Sequence, residues 1–188
     1  MISLNKKQLE LAKVLDLCCA KEKTRPYLCH IFYDKENKRL VSTNGIILFV
    51  VPIEKIGISE TELSTSEYWQ LVKNALYPVV CDYKYPTINK VIPSTEVEKE
   101  LSIKNYLSCH EVKNNSKSIG LANLALLNSL GATAFSDKVL KFTILVANCL
   151  PIEFDKVEYS ADEKNGFSKP WILRNSDCFA VVMPLLEG

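Results

Sequence analysis

The stretch RLVSTNGIILFVVPI, residues 39–53, decides how this sequence is interpreted. β-Branched and aromatic residues dominate it, as they do in strands. Thr-Asn-Gly at 43–45 interrupts it with the residues that tight turns between antiparallel strands prefer. The preceding YLCHIFYD (27–34) has the same character and is separated from it by the polar KENK. These residues therefore predict consecutive antiparallel strands joined by turns.

A helix is predicted in front of these strands. Residues 4–20 place Leu4, Leu11, Leu15 and the Cys18-Cys19 pair on one face, with lysines elsewhere, which is the spacing of an amphipathic helix. Asn5 is a suitable N-cap, and Pro26 disfavours helix in the residue before it. A short MISL strand is expected ahead of the helix.

The rest of the chain repeats this order of elements. STSEYWQLVKNAL (64–76) begins with three potential capping residues and has helical spacing, so helices are expected to start near residues 5, 66 and 121. The third, within 118–132, ends at Gly131. Further strands are expected at 139–148, 151–160, 169–175 and 178–186. A helix followed by antiparallel strands, twice, predicts the α+β class.

Composition narrows the class of protein. Hydrophobic residues make up 47% and charged residues 24%, a balance typical of a folded globular chain rather than a disordered one. The formal net charge is +1, so binding of nucleic acid would need a locally basic face. Lysines replace the apolar block of a signal peptide and the apolar runs are too short to span a bilayer, so we expect a cytoplasmic protein without membrane contact.

The seven cysteines have no regular spacing, which favours reduced thiols over a disulfide framework. Cys29-His30 and Cys109-His110 raise the alternative of a zinc site, but neighbours on a strand point to opposite faces, so ordinary packing is the simpler interpretation. We expect no metal and no cofactor. Motifs for a catalytic triad, a P-loop or a zinc protease do not occur, so an enzyme with a cysteine nucleophile is a minor alternative.

Three separated stretches together resemble the bacterial β sliding clamp family, the processivity subunit of DNA polymerase III. RPYLCHIFYDKENKRLVSTNGIILFVV (25–51) is similar to the family's segment that ends in A-T-D-G-H-R-L. YKYPTINKVIP (83–93) is similar to its G-x-F-P-D-Y-x-x-V-I-P, and FAVVMPLLEG (179–188) to its Y-V-V-M-P-M-R-L. The resemblance implies the clamp architecture of antiparallel sheets with helices on one face. It also implies two clamp-like halves, 1–94 and 95–188, or one composite domain.

The resemblance further implies a function. In this family the three stretches meet in an apolar groove that receives short linear peptides from DNA polymerases and other clients. A methionine-containing pocket of branched chains can adapt to Leu, Phe or Met anchors. Carried over residue by residue, the groove consists of Thr43, Gly45, Leu48, Pro86, Val91, Val181, Met183, Pro184 and Leu185.

Two departures from the family pattern are visible. The His-Arg that follows the glycine is Ile46-Ile47 here, and the acidic turn residue is Asn44, so a more apolar groove with altered client preference is expected. The chain is about half the family's length. It therefore resembles a condensed, divergent clamp relative of the kind expected in a phage, plasmid or mobile element, and a ring would require self-association.

Sequence-independent binding of double-stranded DNA is also implied, through lysines that contact phosphates. Glu10, Asp16 and Glu22 interrupt the lysines on and directly after the first helix, so an ordinary solvated surface is the competing interpretation. A clamp-fold adaptor or decoy that does not encircle DNA is accordingly the alternative to a processivity factor. The candidate DNA contacts are Lys6, Lys7, Lys13, Lys21, Lys23 and Lys73.

Overall fold

The computed structural model describes residues 1–22, 24–90, 92, 99–102, 156–159, 170–175 and 178–183. Within these ranges the α-helices are α1 (Lys6–Cys18), α2 (Ile53–Ile56) and α3 (Glu60–Leu63), and 3-10 turns cover Pro26–Leu28 and Ile88–Lys90. The strands are β1 (Ile2–Ser3), β2 (Ile31–Asp34), β3 (Arg39–Thr43), β4 (Ile47–Pro52), β5 (Tyr68–Val72), β6 (Ala75–Val79), β7 (Lys99–Ser102), β8 (Lys156–Tyr159), β9 (Trp171–Asn175) and β10 (Cys178–Val182).

The described strands form one antiparallel sheet in the order β1-β6-β5-β2-β3-β4-β10-β9-β8-β7. Its centre is the predicted hairpin of residues 39–53, in which Thr43 pairs with Leu48 and Arg39 with Pro52. The last strand, β10, lies against the free side of β4. A strand from the end of the chain is thus the direct neighbour of a strand from its first third.

The helices cover one face of this sheet. Leu11 and Leu15 of α1 are fully buried against Phe49 of β4 and Trp69 of β5, and the short helices add Ile53, Ile56 and Leu63 to the same cluster. A second, smaller cluster lies on the other face, where no described α-helix contributes to it. The predicted α+β class, with helices on one face of antiparallel sheet, is confirmed.

The helix α1 begins where the sequence predicts. The side chain of Asn5 accepts a hydrogen bond from the backbone N–H of Gln8 at 3.0 Å, and Gln8 Oε1 accepts one from the N–H of Asn5 at 2.9 Å. This reciprocal capping box satisfies two of the N–H groups that a helix start leaves unpaired. The buried positions Leu11, Ala12, Leu15 and Cys18 repeat at the predicted helical spacing.

The helix predicted at 64–76 is wrong, because this segment forms the hairpin β5–β6. Leu71 pairs with Leu76, and the two-residue turn places Lys73 at φ 56°, in the left-handed region. Of the residues taken as helix caps, Ser64 is the C-cap of the preceding α3, whose own capping box joins Ser59 and Glu62. The hydroxyl of Ser66 donates to the carbonyl of Tyr68 at the start of the hairpin. Tyr68 and Trp69 are buried on opposite faces of the sheet, which is alternation of period two rather than helical spacing.

Strands outnumber helices in the described ranges, as predicted. The predicted strand at 27–34 starts later, at Ile31, because Pro26–Leu28 form a 3-10 turn. The expected helix within 118–132 and the expected strand 139–148 lie outside the described residues. The division of the chain into two clamp-like halves, 1–94 and 95–188, stays a proposal. None of the helices in the described ranges has the length and hydropathy needed to cross a membrane.

Candidate functional site

The sheet brings two of the three family-like stretches into direct contact. Val181 of β10 lies opposite Leu48 of β4, and the register continues beyond the strand, where the Met183 N–H donates to the carbonyl of Ile46 at 2.8 Å. Opposite residues of an antiparallel pair project to the same face. The C-terminal strand is therefore adjacent to residues 43–48, as the carried-over groove requires.

The third stretch lies on the same face of the sheet as Leu48 and Val181. Tyr85 and Ile88 are buried in the cluster that contains Leu48 and Val181. Residues 83–90 thus cross the face of the sheet opposite the helices, and we call them the strap. Pro86, between the two buried strap residues, is exposed.

Burial divides the candidate groove into a floor and a rim. Leu48 is 5% exposed and Val181 is 1% exposed, so these two residues form a buried floor rather than a partly exposed lining. Met183 is 39% exposed and Ile46 is 43% exposed, so the apolar surface beside the floor remains open to solvent. Thr43 is half-buried and Gly45 is exposed, whereas the candidates Val91, Pro184 and Leu185 lie outside the described residues.

The turn at the edge of the groove has a specific geometry. The side chain of Asn44 accepts hydrogen bonds from the N–H groups of Ile46 and Ile47, at 2.9 and 3.0 Å. Gly45 has φ +89°, and a β-carbon there would come 3.2 Å from Nη1 of Arg25. A side chain at position 45 would therefore be strained and would displace Arg25. Asn44 therefore has a structural role, because its side chain closes the turn as a hydrogen-bond acceptor.

The strap contacts an aromatic surface that the sequence did not reveal. The ring of Tyr85 stacks on Phe32 with centroids 4.4 Å apart and 4° between the planes, and the hydroxyl of Tyr68 donates to the carbonyl of Tyr83. Burial raises the pKa of Tyr68 to about 12, and it also raises the pKa of Tyr85 well above its ordinary value. Both hydroxyls are therefore protonated at neutral pH.

For part of this aromatic surface, the alternation of side chains along a strand indicates in the sequence which residues share a face. Phe32 is two residues from Asp34 on β2, and Phe179 is two residues from Val181 on β10, so each pattern assigns a shared face. Pairing of distant residues such as Phe32 and Tyr85 required the folded chain. The exposed Met183 beside this surface has a side chain that can adapt to the shape of an apolar anchor.

The lysines proposed for DNA contact occupy a different part of the molecule. Lys6, Lys7 and Lys13 are exposed on α1, on the sheet face opposite the groove. Lys73 is exposed in the β5–β6 turn, next to Asn74, whose carbonyl accepts from the N–H of Leu4. Lys21 forms an exposed ion pair with Asp16 at 3.3 Å. Lys23 lies outside the described residues.

The cysteines in the described ranges behave mainly as packed thiols. Cys18 and Cys19 are buried, as predicted, and burial raises the pKa of the Cys19 thiol far above its ordinary value, which makes it a poor nucleophile. Cys29 is half-buried, with its Sγ 3.3 Å from the carbonyl of Glu22. In the described part of the chain, no three His, Cys, Asp or Glu side chains group as metal ligands would. The Cys109-His110 pair lies outside it.

His30 adds a pH dependence to stability that can be measured. Burial lowers the pKa of its imidazole below 6.5, and its Nδ1 has no hydrogen-bond partner among the described residues. The His30 imidazole is therefore protonated at a higher pH in the unfolded chain than in the folded protein. Stability is fully present above pH 6.5 and is lost as the pH falls from there through the folded pKa.

We expect the urea midpoint to fall between pH 7 and pH 5, and to fall less in His30→Gln, which cannot be protonated. Carboxylates common to both proteins cancel in this comparison. Equal pH slopes for the two proteins would show that His30 is not the group responsible.

No family model matches the sequence, and no curated protein matches it. Solved structures do match. The chain is similar to a DNA polymerase sliding clamp from Bacillus subtilis, with 15% identity and a TM-score of 0.56. It is also similar to a Helicobacter pylori β clamp bound to a DNA ligase peptide (11%, 0.50) and to a DNA polymerase sliding clamp from Pseudomonas aeruginosa with ligand (14%, 0.51).

These alignments cover 100%, 98% and 98% of this chain, but 64%, 65% and 65% of the respective clamps. At such low sequence identities, the structural similarity establishes the fold alone. The resemblance inferred from three short stretches is therefore confirmed as a sliding-clamp fold in a chain that spans less than two thirds of the length of these clamps.

Proposed function

We propose that this chain is a non-catalytic, clamp-like DNA polymerase processivity factor that binds client proteins through short linear motifs. The proposed site is the apolar groove whose floor is Leu48 and Val181 and whose rim includes Met183 and Ile46. Thr43, Gly45 and Pro86 belong to the same proposed site, and Val91, Pro184 and Leu185 are retained in it from the sequence resemblance.

One observation carries this proposal: β10 pairs with β4 so that the exposed Met183 borders the buried Leu48–Val181 floor. Exposed apolar side chains beside a floor of branched residues provide a surface on which a peptide's apolar anchors lose contact with water. The Helicobacter pylori clamp, similar in fold, is bound to a DNA ligase peptide. That complex supports a peptide ligand over a small metabolite.

The methionine content of the chain permits a direct test. Met1 and Met183 are its two methionines, so a protein labelled with [methyl-13C]methionine contains one reporter in the groove and one reference. Met1 precedes β1, which is six strands away from β10 in the sheet order. At about 4.8 Å per strand this is a separation of roughly 29 Å across the sheet.

We expect a peptide with the pattern Gln-x-x-Leu-Phe to shift the Met183 methyl signal and to leave that of Met1 in place. The titration should give a micromolar Kd, which corresponds to about 7–8 kcal/mol. A peptide with its Gln, Leu and Phe replaced by Ala is the matched control. Equal shifts with both peptides, or no Met183 shift at millimolar peptide, would exclude the groove.

DNA contact forms the second part of the proposal. The exposed Lys6, Lys7 and Lys13 lie along one helix and are free to contact phosphates while the opposite face of the sheet holds a client. The alternative is an adaptor or decoy that binds clients without encircling DNA. Size measurements with and without double-stranded DNA separate the two, because only the processivity factor requires copies of the chain to assemble around a duplex.

A further inference from the structure

The strap is attached to the sheet at both of its ends. Near its start, Tyr85 stacks on Phe32 and the Tyr83 carbonyl accepts from Tyr68. Near its end, the side chain of Asn89 accepts a hydrogen bond from Nη2 of Arg39 at 2.8 Å. Pro86 and Ile88 lie between these attachments, so the position of the groove's covering residues depends on both of them.

Arg39 is itself held in a fixed orientation. Its Nε donates to Oδ2 of Asp34 at 2.8 Å, and the two side chains are only 13% and 12% exposed. The backbone and side-chain amides of Asn37 donate to the same carboxylate. A charge pair that is largely shielded from water is screened little by salt. Because Nε of Arg39 is held on Asp34, the second donor of the guanidinium is aimed at Asn89. The Asn37 bonds are made to the carboxylate and not to the guanidinium.

We propose that Arg39 is a positioning residue for the groove, and that its hydrogen bond to Asn89 holds the strap against the sheet face that carries the Leu48–Val181 floor and so raises the affinity for client peptide. This inference rests on the proposed peptide-binding function. It concerns two residues that do not belong to the groove itself.

The effect on affinity follows from the entropy of the strap. Ile88 packs in the same cluster as Leu48 and Val181, and the exposed Pro86 is two residues before it. A strap released at Asn89 samples more positions in the free protein. Binding must then order it, and the cost of that ordering is subtracted from the binding free energy. A strap already fixed by Arg39 avoids this loss.

Three substitutions separate positioning from general stability. Asn89→Ala removes the acceptor from the strap while leaving the Arg39–Asp34 pair in place. Asn89→Asp keeps an acceptor for Arg39 and adds a charge that strengthens the bond. Asn37→Ala is the matched control, because it removes hydrogen bonds from the same carboxylate without touching the strap. Asn37 and Asn89 are both exposed, so all three variants are expected to fold.

The readout is the Kd of the Gln-x-x-Leu-Phe peptide, measured through the Met183 methyl signal, with urea unfolding recorded for each variant. We expect Asn89→Ala to weaken binding about tenfold, the effect of one hydrogen bond to a charged group. Asn89→Asp should restore wild-type affinity, and Asn37→Ala should leave Kd unchanged.

The possible outcomes are distinct. Wild-type protein that fails to bind the peptide would overturn the proposed function and this inference with it. Wild-type protein that binds, together with an unchanged Kd for Asn89→Ala, would overturn the inference alone. An equal loss of affinity in Asn37→Ala and Asn89→Ala, or no rescue by Asn89→Asp, would also overturn it, because the effect would then not follow the Arg39–Asn89 bond.

Discussion

Leu48→Ala is expected to lower the free energy of unfolding by about 2–5 kcal/mol, the range for truncating a buried leucine. Leu48 is 5% exposed and belongs to the buried cluster that also contains Val181 and Tyr85. Its strand is hydrogen-bonded to β3 on one side and β10 on the other, so the backbone has little freedom to close the cavity. Urea denaturation at pH 7 measures the loss directly.

Met183→Ala provides the contrast, because Met183 is 39% exposed and its removal should cost less than about 1 kcal/mol. Leu48→Met, which conserves volume, should cost less than about 1.5 kcal/mol. Alanine at both 48 and 183 is therefore expected to destabilise the fold, mainly through the loss at Leu48. An unchanged urea midpoint in Leu48→Ala would show that Leu48 is not part of a packed floor.

Reversing three charges on α1 is expected to have the largest effect on DNA binding. If Lys6, Lys7 and Lys13 each neutralise one phosphate, changing all three to Glu removes the release of about three counterions. At 0.1 M salt this lowers the affinity for a double-stranded oligonucleotide by roughly several-hundred-fold and flattens the salt dependence by about 3 units of log–log slope. Fluorescence anisotropy across a salt series measures both quantities.

A matched triple variant tests whether position or net charge matters. Lys35, Lys84 and Lys90 are exposed, and their replacement by Glu changes the net charge by the same amount. Two of them lie on the strap, on the face opposite α1. We expect this control to retain most of the affinity. Equal losses in both triple variants would contradict a specific α1 surface, and unchanged binding in the α1 variant would favour the adaptor alternative.

Much of the fold was predictable because its signals are local. Asn5 followed three residues later by Gln8 predicts a helix start, and the capping box forms there. Asn44-Gly45 between β-branched residues predicts a hairpin, and its strands pair from Thr43–Leu48 to Arg39–Pro52. Such features are determined by neighbours in sequence, whose backbone preferences and hydrogen bonds do not depend on the rest of the chain.

The helix predicted for residues 64–76 was wrong for an equally physical reason. Its apolar residues fit helical spacing and alternation alike, and short apolar runs do not distinguish the two. What decides the outcome is burial on both faces: Trp69 packs beneath α1, while Tyr68 packs against Phe32 and its hydroxyl reaches the carbonyl of Tyr83. Two partners on opposite sides require a strand, and neither partner is a neighbour in sequence.

In the candidate site, too, some features were determined by the sequence and others by the tertiary structure. Its members were named from sequence through a resemblance, and their apolar character was evident from the residues themselves. Which of them form a buried floor and which an exposed rim depended on the pairing of β10 with β4 and on the strap above them. The Arg39–Asn89 bond joins residues fifty positions apart. Sequence determined the local elements and the chemistry of this groove, whereas tertiary structure alone decided its depth and its supports, because burial is a property of contacts between distant segments.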